Sequence, residues 1–423
     1  MADFANGTTS EDLAAQHRER FIRDLILLEF GREVVELDQL RGGINAFVYK
    51  LKIAAVDSLH GRAKARVQRG ASPLPDGATL LVLRLSNPAS GLNEMIRVQN
   101  EVAVMSLIRE ALAPLNPCLV PALYGWASGK QGWTLCECLV GDPLGDKFEA
   151  LDDKAKRIII AQIALIFKSI RQFRLPSSVQ GYGGLGFAED GSIVTGPTVI
   201  AGGGPCDTHS ALYAEYLATQ RGLSEKCDIV QGWIGTDIPA RIEKLAREKF
   251  TGSCEWEQHL RPTLVHADFD IHNMLFNPKT LQITGLLDYD LGHIGSQADE
   301  YMYSLSSLGF LVLPPIKDNE DLRLQREFLL HGIEHERLIN RPQTIINWKV
   351  ALMVDEEFSK AGVERPRDIQ AMEEIATRYW VTQNVSPPIF SLERSRKYSL
   401  DKLQQMKVGE QRELENGLEA LGY

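Results

Sequence analysis

The stretch "LVHADFDIHNMLFN" (residues 264–277) carries an unusual density of ionisable side chains. His266, Asp268, Asp270 and His272 stand at alternate positions, and Asn273 follows directly. An ordinary strand or helix buries one apolar face and has little room for such a group. The sequence leaves three interpretations open: a metal site on a strand, a phosphoryl-transfer loop, and a structural turn.

The metal interpretation rests on strand geometry. Alternate residues of a strand share one face, so these His and Asp side chains could ligate a hard or borderline metal ion. The pair His266 and Asp268 also fits a non-haem metal oxygenase, with His293 as a possible third ligand. The flanking "TLV" and "MLF" are apolar without alternation, however, and Asn273 stays unexplained. This interpretation is therefore the third choice.

The structural interpretation treats His266 as a buried histidine that caps a turn, with Asp270 and His272 in solvent. The next segment, "LQITGLLDYDLGHIG" (281–295), favours chemistry instead, because its apolar strand ends at Asp288. Phosphoryl transfer needs a carboxylate for the attacking hydroxyl, oxygen ligands for Mg²⁺ and a cation on the phosphates. Asp268 supplies the first, and Asn273 with Asp288 supplies oxygen atoms of the kind that Mg²⁺ binds.

The expected cation lies upstream on a buried strand. "ATLLVLRLS" (78–86) contains a single charge, Arg84, and the predicted helix at 91–112 carries Glu101, which could hold the guanidinium. Taken alone, Arg84 fits a structural ion pair and Glu101 fits an exposed helix face. Their order in the chain makes the phosphate-binding role credible.

Length and pattern together predict two lobes. A chain of 423 residues exceeds what one compact core usually supports. Residues 1–140 have the order helix, strands, helix, strands of a small α+β lobe, with an N-terminal helical extension at 9–31. Residues 141–423 are mainly helical and contain the catalytic loop (264–277) and the metal-binding strand (281–295). Residues 55–77 are predicted to form an exposed loop.

Charge and cysteine usage limit the partners. The formal charge of 46 − 56 = −10 disfavours nucleic acid and anionic membrane surfaces as main partners. No apolar run approaches the ~18 residues needed to cross a membrane. Six scattered cysteines without a Cys-x-x-Cys motif are typical of reduced thiols. We therefore expect a cytoplasmic protein without a nucleic-acid or membrane partner; its oligomeric state cannot be predicted.

The motifs in their order resemble the aminoglycoside phosphotransferase and choline kinase-like family, which has a protein-kinase-like fold. "HADFDIHNMLF" followed by "LLDYDLGHIG" is similar to its His-Gly-Asp, Asn and Ile-Asp-Trp signature. Four upstream segments are similar to its glycine turn, third strand, pairing helix and hinge: "RGGINAFVYKL", "LVLRLS", "RVQNEVAVMSLI" and "WTLCECLVGDPL". "GGLGFAEDGSIVTGP" and "AGVERPRDIQ" resemble its filamentous-fungal branch.

The resemblance implies an α+β fold with a small antiparallel-sheet N-terminal lobe, a larger helical C-terminal lobe, and use of ATP and Mg²⁺. It implies that Asp268 is the catalytic base, that His266 fixes the loop by bonding to the backbone, and that Asn273 and Asp288 ligate Mg²⁺. It assigns nucleotide contacts to Gly42, Gly43, Asn45, Arg84 with its partner Glu101, and the hinge residues Glu137, Cys138 and Leu139. Asp299 would anchor the catalytic loop at a helix start.

The sequence departs from the family pattern at three positions. Arg84 replaces the commoner Lys, although a guanidinium can grip phosphate through two bonds. Ala267 replaces the Gly of His-Gly-Asp, which is a mild change unless the backbone there needs a positive φ. Ser296 stands where many members have Asp.

The resemblance implies transfer of the γ-phosphate of ATP to a hydroxyl group of a small molecule. Possible acceptor-binding side chains are Asp270, His272, Asp290, Trp348 and Asp355. Asp270 and His272 fill variable positions, so exposure to solvent is the alternative for both. The alternative function is a kinase-fold protein without phosphotransfer activity, since fold alone does not fix function.

Overall fold

The computed structural model describes most of the chain. The described residues are 10–40, 43, 45–55, 68–115, 119–129, 131–200, 203–250, 255–341 and 345–423. The chain divides into two compact units, residues 1–90 with 121–138 and residues 91–120 with 139–423. Residues 91–120 thus group with the second unit, whereas the sequence suggested one switch near residue 140.

The first unit is a helix packed on an antiparallel sheet. The elements are α1 (Ser10–Phe30), β1 (Val34–Leu40), β2 (Ala46–Ile53), β3 (Leu80–Ser86), β4 (Leu123–Ala127) and β5 (Trp133–Glu137). The sheet has the strand order β1-β2-β3-β5-β4. Helix α1 ends where the sequence predicts, because Gly31 adopts φ 64° and donates its N–H to Leu27 O at 3.0 Å.

Alternation along β3 separates the core from the polar face of the sheet. Leu81, Leu83 and Leu85 are buried in a cluster with α1 residues such as Ile22 and Ile26. Because successive side chains of a strand point to opposite faces, Arg84 lies on the other face. This placement keeps its guanidinium out of the apolar core.

The second unit is mainly helical. Its helices are α2 (Glu94–Leu112), α3 (Leu144–Lys147), α4 (Asp153–Arg171), α5 (His209–Lys226), α6 (Ile238–Lys249), α7 (Glu300–Tyr303), α8 (Glu320–His331), α9 (His335–Ile339), α10 (Trp348–Ala361), α11 (Met372–Asn384), α12 (Leu392–Ser395) and α13 (Leu400–Ala420). Its strands are β6 (Asp142–Pro143), β7 (Gly184–Phe187), β8 (Ile193–Gly196), β9 (Thr263–Val265), β10 (Met274–Asn277), β11 (Gln282–Leu286) and β12 (His293–Gly295). Among the described residues, no helix is long and apolar enough to cross a membrane.

Helix α4 forms the centre of this unit. Asp152 caps it by accepting the N–H of Ala155 at 2.8 Å. The isoleucine stripe of α4, which recurs at helical spacing, is buried: Ile159, Ile163, Ile166 and Ile170. Phe167 of α4 packs against the rings of Phe269, Tyr301 and Phe358, with centroids 5.1–5.4 Å apart. Since Phe269 belongs to the catalytic-loop motif, the core directly supports that loop.

Candidate active site

Two short strand pairs hold the motif loops side by side. Val265 of β9 pairs with His293 of β12, and Met274 of β10 pairs with Leu286 of β11. The loop at 266–273 joins β9 to β10, and the loop at 287–292 joins β11 to β12. The bond from Leu287 N to Asn273 O, 2.8 Å long, closes the gap between the loops. Asp288, the next residue, is therefore a backbone neighbour of Asn273.

Asp268 and Asn273 are joined directly. Asn273 Nδ2 donates to Asp268 Oδ2 at 2.7 Å and to Asp268 O at 2.9 Å. The Asp268 side chain is 37% exposed, so a substrate can reach it. Burial acts to raise the pKa of Asp268, but bonds from His272 and Asn273 outweigh it and hold that pKa below its usual value. The carboxylate is therefore ionised at neutral pH, as a proton acceptor requires.

His272 lies between two carboxylates. Its Nε2 is 3.4 Å from Asp268 Oδ1, and its Nδ1 is 3.6 Å from Asp270 Oδ1. Hydrogen bonds with Asp268 and then Asp270 raise the pKa of His272 to about 10. The imidazole is therefore cationic at neutral pH. Its side chain is half exposed, but its contacts with two carboxylates distinguish it from a side chain that is only solvated.

Asp270 is not solvated, so that alternative is wrong for this residue. It is 1% exposed and accepts the N–H of Ile271 at 2.6 Å, the hydroxyl of Ser306 at 3.0 Å and the N–H of Ser307 at 2.9 Å. The three donors satisfy a buried charge that would otherwise be costly. Asp270 thus ties the loop at 266–273 to the segment after α7.

The backbone of the loop is anchored by Glu300 rather than by Asp299, which corrects the sequence-based assignment. Glu300 is 3% exposed and accepts the N–H groups of His266 at 2.7 Å and Ala267 at 3.0 Å. Asp299 turns instead toward α5, where His209 Nε2 is 2.9 Å and the Tyr213 hydroxyl 2.5 Å away. Adjacent residues at a helix start point in different directions, so Asp299 and Glu300 contact different parts of the unit.

Ala267 occupies the position where glycine is usual in the resembled motif, and its φ is 64°. The backbone at position 267 therefore has the positive φ at which alanine in place of glycine carries a cost. A left-handed conformation costs an L-residue with a side chain roughly 1–2 kcal/mol. The two bonds to Glu300 and the 3% exposure of Ala267 indicate that surrounding contacts hold this strained backbone in place.

His266 is fully buried. Its ring packs on Tyr289 and Phe269, with centroids 5.0 and 6.1 Å away. Burial lowers the pKa of His266 to about 4, although Asp268 and the Leu287 backbone act in the opposite direction. The ring is therefore neutral at pH 7. The ring packs between the two loops, but neither of its nitrogens has a hydrogen-bond partner among the described residues. The predicted bond from His266 to the backbone is therefore absent from this part of the chain, and a structural role for its packing stays a prediction.

The residues expected to contact nucleotide belong mostly to the first unit. A Cβ on Gly43 would come 2.1 Å from Ala46 O, so position 43 admits only glycine. Asn45 O accepts the N–H of Asn87 at 3.2 Å, and Gly42 lies outside the described residues. Glu137 ends β5 and donates its N–H to Ala122 O at 2.8 Å. Cys138 and Leu139 follow it.

Glu101 lies in a buried ionic network that the sequence analysis missed. Arg97 Nη1 is 3.4 Å from Glu101 Oε2 and 2.6 Å from Asp290 Oδ1. All three side chains are 1% exposed. The available signal was the spacing in "RVQNE", which puts Arg97 one helical turn before Glu101. The predicted pairing of Arg84 with Glu101 stays a prediction.

Two other acceptor candidates lie in the helical core. Trp348 is 3% exposed and packs edge-on against Phe328, with centroids 6.2 Å apart. Asp355, also 3% exposed, accepts two bonds from Arg367 Nη2 at 2.7 and 2.8 Å. Both arrangements are typical of residues that stabilise a core, and an acceptor-binding role for either stays a prediction.

The donor atoms near Asp268 suit a hard cation. The amide oxygen of Asn273 and the carboxylate of Asp288 belong to the ligand types that Mg²⁺ takes together with water and phosphate oxygens. A site for an oxygenase metal would need a convergent histidine and carboxylate set. Among the described residues, no group of three or more His, Cys, Asp and Glu could hold a metal ion. The buried, aromatic environment of His266 also speaks against the oxygenase interpretation.

Comparison with known proteins gives one family and one fold. The sequence profile of the phosphotransferase enzyme family matches residues 74–316, more than half of the chain. The structure of the gentamicin complex of APH(2'')-IIa is similar over 99% of both chains, with a TM-score of 0.50 and 12% identity. At that identity the likeness shows the fold alone, and it confirms the predicted α+β, protein-kinase-like class.

Two further solved structures are similar with lower scores. ADP-bound aminoglycoside phosphotransferase APH(2'')-Ib has a TM-score of 0.46 and 12% identity, over 96% of this chain and 98% of its own. The Plasmodium vivax ethanolamine kinase has a TM-score of 0.43 and 11% identity, over 98% and 95%. Among curated proteins, no match was found.

Proposed function

Since the chain belongs to the phosphotransferase enzyme family, we propose that it transfers the γ-phosphate of ATP to a hydroxyl group of a small molecule in a Mg²⁺-dependent reaction. One observation carries the proposal: a partly exposed Asp268 is kept ionised and bonded to Asn273, beside the loop of Asp288. Phosphoryl transfer asks little more of a protein than this placement of a base and metal ligands.

Asp268 is proposed to orient the attacking hydroxyl and accept its proton. With Nδ2 of Asn273 bonded to Asp268, the oxygen of that amide is the atom left for the metal. Asn273 and Asp288 would hold Mg²⁺, which when bound supplies positive charge to the phosphate oxygens. His266 would keep the loop in place through its packing.

The nucleotide is proposed to bind to the remaining residues. Gly42, Gly43 and Asn45 would cover the phosphates, and Arg84 would neutralise part of their charge. The adenine would bond to main-chain groups of the segment 137–139. Since Glu137 N–H is used within the sheet, its carbonyl and the Leu139 backbone are the better candidates.

For the acceptor, exposure separates the five candidates. Asp270, Asp290, Trp348 and Asp355 are each at most 3% exposed, whereas the side chain of His272 is 52% exposed and next to Asp268. A bound acceptor can therefore reach His272 without rearrangement of the core. Its cationic imidazole favours an acceptor oxygen or anionic group there.

The test is a thermal shift of the full chain with ATP, with and without Mg²⁺, followed by ADP release with a panel of hydroxyl compounds. A ligand that binds only the folded state raises the midpoint of the thermal transition. At a ligand concentration of 100 times Kd it adds about 2.7 kcal/mol to the free energy of unfolding. We expect a Mg²⁺-dependent rise that Asp288→Ala abolishes. The exposed Asp401, replaced by alanine, serves as the matched control and keeps the rise.

Asp268→Asn separates catalysis from binding. It should retain the Mg²⁺-dependent shift and lose acceptor-dependent ADP release, because the amide cannot take the proton. No shift in the wild type would contradict the proposal. A shift without ADP release from any acceptor would favour a kinase-fold protein without phosphotransfer activity. The cytoplasmic location and the lack of a nucleic-acid or membrane partner stay predictions.

A further inference from the structure

Helix α2 is tied to the segment after Asp288 by a buried ion pair. Arg97 Nη1 lies 2.6 Å from Asp290 Oδ1, and the two residues are 193 positions apart in sequence. Both side chains are 1% exposed. A buried pair of this kind tolerates few geometries, because either charge without its partner would be strongly unfavourable.

Asn100 fixes the same segment through its backbone. Its Nδ2 donates to Gly292 O at 2.9 Å and to Asp290 O at 3.4 Å. Its Oδ1 accepts the N–H of Leu185 at 2.7 Å. The amide is therefore held from the β7 side while it holds the loop, so it cannot rotate without losing bonds on both sides.

Close packing gives independent support for this attachment. A Cβ placed on Gly292 would come 2.4 Å from Val104 Cγ1 of α2, a distance that real Cβ atoms do not adopt. The loop therefore reaches the helix only because residue 292 lacks a side chain. Charge, hydrogen bonding and shape all attach residues 290–292 to α2.

Resting on the proposed function, we infer that Arg97 and Asn100 are positioning residues for Asp288. One residue separates Asp288 from Asp290, and Asp288 has φ 65°, so the anchored segment determines where its carboxylate points. The Arg97 guanidinium also contacts Glu101 at 3.4 Å. One side chain thus links the segment after Asp288 to Glu101 within α2.

The inference predicts a selective loss of metal-dependent binding. We would measure the dissociation constant of ADP by calorimetry on the full chain, with and without Mg²⁺, for Arg97→Lys and Gly292→Ala. Replacing residues that orient a metal ligand typically weakens metal affinity about 10–100-fold, and we expect a loss in that range with Mg²⁺ present. Without Mg²⁺ the affinity of each variant for ADP should stay within about twofold of the wild-type value. A change of that size is well below the tenfold change that corresponds to about 1.4 kcal/mol.

Two controls distinguish positioning from general damage. Glu94→Gln removes the charge of another hydrogen-bond partner of Arg97, whose Oε2 lies 3.3 Å from Arg97 Nε, and should leave both constants unchanged. Val104→Ala added to Gly292→Ala relieves the clash and should restore the Mg²⁺-dependent affinity. A thermal melt confirms that each variant is folded.

The outcomes separate the inference from the proposed function. If the wild type shows no Mg²⁺-dependent ADP binding, the proposed function fails and the inference falls with it. If the wild type shows it and both variants retain it, the inference alone is overturned. Equal losses with and without Mg²⁺, or no recovery in the double variant, would likewise overturn it, because they indicate loss of the fold around α2.

Discussion

Replacing Glu300 by glutamine should destabilise the protein through the loop at 266–273. Glu300 Oε2 accepts His266 N–H at 2.7 Å, and Oε1 accepts Ala267 N–H at 3.0 Å and the Ser304 hydroxyl at 2.5 Å. An amide has one accepting atom, so at least one buried backbone N–H must then face another donor. A lost charge-assisted bond with an unpaired donor costs roughly 1.5–3 kcal/mol.

A gain offsets part of this cost. Burial raises the pKa of Glu300, which means that its charge is itself disfavoured in the fold, and the amide removes that charge. We therefore expect Glu300→Gln to lower the free energy of unfolding by about 2 kcal/mol, roughly a 30-fold change in the folding equilibrium. Urea denaturation followed by tryptophan fluorescence measures the change.

The matched control is Glu336→Gln on α9. Glu336 is exposed, so its replacement should change the free energy of unfolding by no more than about 0.5 kcal/mol. If Glu300→Gln behaves like this control, the anchoring of the loop by Glu300 is refuted. Loss of Mg²⁺-ATP binding together with the destabilisation would support the coupling of this anchor to the site.

Three further predictions concern the same unit. His272 should stay protonated until about pH 10 in an NMR titration of histidine-labelled protein. Its stabilising effect on the fold is therefore complete below its unfolded pKa of about 6.5 and is lost as pH rises through 10. Asp268→Asn should lower the pKa of His272, and an unchanged titration would contradict the pairing. Ala267→Val should cost about 2–4 kcal/mol of unfolding free energy, because a β-branched residue is strained at φ 64° and the site is buried, while Ala267→Gly should stay within about 1 kcal/mol. Asp355→Ala should lower the free energy of unfolding by about 3 kcal/mol, because Arg367 would lose the buried partner of its guanidinium. A higher KM for the acceptor at unchanged stability would instead identify Asp355 as an acceptor-binding residue.

The fold class was predictable because its signals are local. The isoleucine stripe of α4, the end of α1 at Gly31 and the hairpin around residues 189–191 each follow from a few neighbouring residues. The order of the motifs led to the phosphotransferase family, which the family profile confirms. The roles assigned to Asp268, Asn273, Asp288 and Arg84 remain proposals for the experiments above.

Sequence by itself determined the fold class, the family and the candidate chemical groups, because periodicity and motif spacing express contacts between near neighbours. Only the tertiary structure decided that Glu300 rather than Asp299 anchors the loop, that Asp270 is buried, and that Arg97 meets Asp290. These contacts join residues 33 to 193 positions apart. Which side chains meet over such distances depends on how packed elements orient each other, and no local pattern encodes it.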